Sequence, residues 1–175
     1  MLVVTLSTLA KNSNANEIWV TQVGDDLKMS IVQSGKDNEA FWTVIGNNND
    51  VEGFQGSTQH QANIVNGDNN VVDVIQQGGG SHLGFVEIQG SDNTVGLYQS
   101  GDQGSHFGDI VLNGDDHSVT SIQKGNGAHS TSLELSNGGG AYTVNTTQDS
   151  TTNQTYSLTG TCTNTIGCTI TITQY

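Results

Sequence analysis

The chain has 175 residues, 33% of them apolar, and sets 17 acidic side chains against 4 basic ones for a formal charge of -13. That balance leaves no basic footprint for nucleic acid or an anionic membrane surface, and so small an apolar share argues against a thick globular core. With 23 Gly and no Pro, turn-forming positions abound and no residue removes a backbone donor from a sheet ladder.

Residues 1–15 begin with MLVVTLSTLA, an apolar run too short to span a bilayer and with no Lys before position 11. It reads either as the tail of a truncated secretory signal, with small residues near Ala10 and Ala15 suited to cleavage, or as an extra N-terminal strand. Residues 16–175 then form the folded unit.

From residue 16 onward the chain is a series of short runs, among them NEIWVTQ, KMSIVQ, NEAFWTV, NVVDVIQ and SVTSIQ, rich in β-branched and aromatic residues. In the first, Asn16, Ile18, Val20 and Gln22 alternate with Glu17, Trp19 and Thr21, a period of two that predicts a strand with the first set facing inward. Junctions such as VGDDL, GNNND, NGDNN, GSDN and NGDD supply residues that tolerate positive φ, as tight arcs between short strands require.

The runs repeat in phase. A Gly follows each of ten of them: Gly24, Gly35, Gly46, Gly56, Gly67, Gly78, Gly90, Gly101, Gly114 and Gly125, at spacings of 10 to 13 residues. Gln33, Gln55, Gln77 and Gln99 stand 22 apart, and Gln123, Gln148 and Gln174 follow at 24, 25 and 26. The alternate runs place Gln22, Val44, Asn66, Gln89 and Asn113 at the matching point. Two strands per repeat of 22–26 residues predict an all-β fold, a β-solenoid of about seven two-stranded turns.

Stacking explains the repetition. Equivalent strands lie about 4.8 Å apart along a solenoid axis, so an amide at one position of every turn can bond those above and below. Gln22, Gln33, Gln55, Gln77, Gln99, Gln123 and Gln148, with Asn16, Asn38, Asn49, Asn70 and Asn93, are the expected ladder. A lone buried amide would instead cost about 1–3 kcal/mol. In GFQG, IVNG, EIQG and VLNG the polar residue directly precedes the Gly, which shifts its pleat position by one and leaves its facing open. Beyond about residue 126 the pattern diverges: HSTSLELSNGGG and AYTVNTTQDSTTNQ lengthen the turns, and Thr replaces several amides.

Few residues suggest chemistry. His60, His82, His106 and His129 are 22, 24 and 23 apart and are expected to share one rung position. They are either a weak transition-metal candidate or, the blander reading, hydrogen-bonding substitutes for the Asn or Ser of the phrase. The acidic turns have oxygen ligands for calcium but lack a GGxGxDxUx repeat, and solvation of an arc accounts for them. Cys162 and Cys168 bracket a turn-like TNTIG and form either a disulfide that staples the last arc or two free thiols. No GxSxG elbow or clustered carboxylate pair occurs, so neither an enzyme nor a cofactor is expected.

The phrase Asn-x5-Gln-x-Gly stands intact at Asn16/Gln22/Gly24, Asn70/Gln76/Gly78 and Asn93/Gln99/Gly101. Partial copies lie at Asn49/Gln55, Asn38/Gly46 and Gln33/Gly35. Paired over about 22 residues, it resembles the curlin repeat of bacterial curli fibres across residues 16 to 148. The resemblance implies a secreted subunit that polymerises into amyloid-like fibres of the biofilm matrix, a nucleating curlin as partner, and passage through an outer-membrane secretion pore without membrane insertion. The scarcity of basic residues points to the major subunit; the alternatives are the minor nucleator, or a soluble β-solenoid adhesin or ice-binding protein. No cap is evident in the sequence, so both ends of the solenoid are expected to be open.

Overall fold

The computed structural model describes residues 2–10, 16–34, 38–56, 59–136, 140–161 and 166–175, and the backbone alone for residues 2–10, 16–20, 22, 41, 59–64, 136 and 161. Gly35 lies outside the described residues.

Every described element is a strand: β1 (Leu2–Ala10), β2 (Asn16–Gly24), β3 (Lys28–Gln33), β4 (Glu39–Ile45), β5 (Asp50–Gln55), β6 (Gln59–Asn66), β7 (Val71–Gln77), β8 (His82–Gln89), β9 (Thr94–Ser100), β10 (Phe107–Val111), β11 (Ser118–Lys124), β12 (His129–Ser136), β13 (Tyr142–Asp149), β14 (Gln154–Thr161) and β15 (Cys168–Gln174). Even-numbered strands from β2 to β14 stack in parallel in one sheet, and odd-numbered strands from β3 to β15 stack in parallel in the other. Each parallel step is bridged by the intervening strand of the opposite sheet, which supplies the crossover that parallel pairing demands. The chain is therefore an all-β solenoid of seven strand pairs, β2/β3 to β14/β15.

Residues 2–10 form a strand. β1 adds to the outer edge of β2 in antiparallel register, from Leu2 opposite Gly24 to Ala10 opposite Asn16.

The two sheets enclose one thin layer of inward side chains. Alternation is strict in β7, β8 and β11 and sets Val72, Val74, Val86, Ile88 and Val119 inside, with Leu133 and Leu135 of β12 buried likewise. The core is narrow enough that opposing rungs must match in volume. Leu97 reaches so far across that a Cβ added at Gly108 would lie 2.9 Å from its Cδ1.

The arcs leaving the even-numbered strands share one conformation in five turns. Asp26, Asn48, Asn69, Asp92 and Asp116 all adopt left-handed backbone, with φ of 53, 55, 56, 59 and 62°. A Gly stands two residues earlier in each of these arcs. At Gly46 φ is 121°, and a Cβ there would fall 1.9 Å from the Gly67 carbonyl oxygen of the next turn.

Candidate functional site: amide columns and open ends

A continuous column of Gln runs through the seven-stranded sheet. Gln33 Nε2 donates to Gln55 Oε1 (2.6 Å), Gln55 to Gln76 (3.3 Å), Gln76 to Gln99 (2.7 Å), Gln99 to Gln123 (2.8 Å), Gln123 to Gln148 (3.0 Å) and Gln148 to Gln174 (3.0 Å). Every bond points the same way along the axis. The same Nε2 groups also cross the core to backbone carbonyls of the facing sheet: Gln55 to Glu39 (2.7 Å), Gln99 to Leu83 (3.1 Å), Gln123 to Phe107 (2.8 Å) and Gln148 to Ser130 (3.2 Å). These four amides are thus tied both to their neighbouring turns and to the opposite wall.

One expected member of this column is wrong. Gln77 is exposed and registers with Ser100, whereas Gln76 takes the inward place opposite Gln55 and Gln99. The even spacing of 22 favoured Gln77, but the intact phrase from Asn70 to Gln76 carried the true register. Pleating also settles the four ambiguous phrases. Gln55 faces inward, while Asn66, Gln89 and Asn113 are exposed. Their sheet instead stacks the apolar Val44, Val65, Ile88, Leu112 and Leu135 on the strand position of Gln22. The side chains of Gln22 and Asn16 lie outside the described residues.

A second amide column stands where the arcs enter the odd-numbered strands. Asn70 Nδ2 donates to Asn49 Oδ1, and Asn93 Nδ2 to Asn70 Oδ1, each at 3.1 Å. The same amides hold the arc carbonyls of Gly67, Gly90 and Gly114 at 2.7–2.8 Å. Here the donors point in the opposite direction to the Gln column. Upward, the position is continued by His117, whose backbone N–H donates to Asn93 Oδ1 (2.9 Å), and by Tyr142. Asn38 does not join this column; its Nδ2 donates to the Ser34 carbonyl at 2.9 Å.

The acidic arcs hold a device that the sequence did not reveal. The backbone N–H of Asp25 donates to Asn47 Oδ1, that of Asn47 to Asp68 Oδ1, that of Asp68 to Ser91 Oγ and that of Ser91 to Asp115 Oδ1, at 2.7–3.3 Å. Each arc side chain caps the turn before it. These positions differ in residue type, so no repeated letter announces them.

The expected four-histidine column contains three. His82, His106 and His129 stack with ring centroids 4.8 and 4.9 Å apart and planes within 4°. His60 is displaced by one residue: its backbone registers with Glu39 and Leu83, and Gln59 takes the rung beside His82. The side chain of His60 lies outside the described residues. Nε2–H of His82, His106 and His129 donates to the carbonyls of Gln77, Ser100 and Lys124 at 2.9, 3.1 and 2.9 Å. Burial makes protonation of His82 harder than usual. For His106 the same burial, with His82 and His129 beside it, lowers the pKa to about 4.

The ends of the solenoid differ from its middle. Leu27, Met29 and Ile31 at one end, and Tyr156, Leu158, Cys168 and Ile170 at the other, are only partly buried against the core. The expectation of two uncapped ends needs correction at the first: β1 covers the edge of β2, while no described strand pairs with the outer edge of β3. β14 and β15 are both outermost at the far end. Cys168 is disulfide-bonded, and the other Cys of the sequence, Cys162, lies outside the described residues.

Compared with protein-family models, curated proteins and solved structures, the chain matches none of them.

Proposed function

We propose that this chain is a structural subunit that adds end to end to further copies of itself, forming an extracellular, curli-like amyloid fibre. The observation that carries this reading is the Gln column from Gln33 to Gln174, uniform in direction and interrupted only by the ends of the molecule. At the far end, β14 and β15 expose backbone donors and acceptors beside half-buried apolar side chains, a surface suited to another parallel rung. The scarcity of basic residues supports the major subunit, and the resemblance of its repeat to curlins implies a nucleating curlin and an outer-membrane secretion pore as partners. Its role is mechanical rather than catalytic, and it needs no cofactor.

The test is direct. Purified chain incubated at micromolar concentration should form micrometre fibres whose diffraction shows a meridional spacing of about 4.8 Å. A chain that stays monomeric with and without seeds would overturn the reading.

One observation favours a soluble solenoid instead. Thr169, Thr171 and Thr173 lie exposed on β15, above Thr143, Asn145 and Thr147 of β13, a two-strand row rich in hydroxyls of the kind an ice-binding surface needs. Thermal hysteresis in a solution of monomers would support that alternative.

A further inference from the structure

The histidine column serves none of the roles above, yet it is built with care. Its rings are stacked one turn apart with nearly parallel planes, each about 1% exposed. A carbonyl oxygen only accepts, so the bonds to Gln77, Ser100 and Lys124 fix each ring as the Nε2–H tautomer. Nδ1 of all three is buried with no hydrogen-bond partner. A proton added there would find no acceptor and would put like charges about 4.8 Å apart.

The surroundings offer the rings carbonyl oxygens, which partly offset burial, but no counter-charge. The arcs packed on the column present the carbonyls of Gln77, Ser100, Gly101, Lys124 and Gly125. The adjoining rungs of the column are Gln59 and Gln154, both neutral. Lys124 is bound through Nζ to Asp149 at 3.0 Å on the exposed surface, and Asp102 is exposed on its arc. Among the described residues, the titratable groups acting on His106 are His82 and His129 alone.

We infer that the His82–His106–His129 stack is an acid-sensitive lock on the middle turns, closed when the rings are neutral and forced open when they take up protons. Where the chain polymerises as proposed above, the lock confines growth to near-neutral conditions. An unfolded His binds its proton near pH 6.5. Folded His82 and His106 resist, so stability is flat above that pH and is lost as pH falls from there toward about 4, the window in which the unfolded chain holds more protons. Burial, with Glu134 and Glu87 nearby, raises the pKa of Asp109 and opposes the histidine effect, so the histidine share is read as the difference between wild type and a variant lacking the three rings.

The experiment uses the full chain and the variant His82→Asn/His106→Asn/His129→Asn; Asn38, one rung below Gln59, is already an amide in this column. Unfolding followed by Trp fluorescence between pH 8 and 5 should show the wild-type unfolding constant rising by at least ~30-fold, from His106 alone. The variant should rise clearly less steeply, since amides do not titrate in this range and the slope it keeps comes from groups such as buried His117 that both proteins share. A flat wild-type profile, or an equally steep variant, would overturn the lock. Should the variant not fold, imidazole nitrogen NMR of the folded wild type at about pH 5.5, soluble or fibrous, decides: neutral Nε2–H rings support the lock and imidazolium signals refute it. These readouts do not need polymerisation, so absence of fibres at every pH counts against the proposed function and leaves the lock standing.

Discussion

The contrast between two adjacent glutamines isolates what a ladder position is worth. Gln99 accepts from Gln76 and donates to Gln123 and to the Leu83 carbonyl, so Gln99→Ala would strip three buried groups of a partner. A loss of about 3 kcal/mol or more is expected from denaturant midpoints, against under ~0.5 kcal/mol for Gln77→Ala on the exposed face. Equal effects would contradict the assigned register. Much of this column was legible in the sequence, since Gln33, Gln55, Gln99, Gln123 and Gln148 all fall where spacing put them. Gln77 failed because one arc is a residue shorter, and a count along the chain cannot tell which of two neighbouring Gln the pleat turns inward.

At the scale of single strands, β1 separates the two ends. It pairs along the whole of β2 but leaves β3 unpaired on its outer side, so one sheet is guarded and the other is open. A chain lacking residues 1–15 should therefore elongate seeds severalfold faster than the full chain in a fluorescence growth assay, because a copy's β14 can then meet β2 directly. Identical rates would show that β1 is displaced at no cost. The apolar content of MLVVTLSTLA was plain from the letters, but its antiparallel place beside β2 depends on which edge was vacant, and that is a property of the assembled sheet.

The whole molecule carries a formal charge of -13, with Lys28 and Lys124 each held by an Asp at 2.8 and 3.0 Å. Copies approaching end to end repel one another over roughly 10 Å at 0.1 M salt. Fibre growth should accelerate as salt rises from about 10 to 200 mM, read as a shorter half-time at fixed protein concentration. Slower growth would show that the charges at the junction attract. The many Asp of the arcs serve inside the molecule as well, since Asp68 and Asp115 cap backbone N–H groups of the preceding turn.

The strand periodicity, the Gly-marked arcs and the two-strand repeat were determined by sequence alone, because alternation and stacking are local rules applied again and again. Which side chain of each pair points inward, which His joins the stack, and which edge β1 covers were decided only by the packed sheets. Repeat lengths run from 21 to 26 residues while the inward Gln column stays in register, so the arcs absorb the difference and a count along the chain loses the pleat phase that the packed sheets keep.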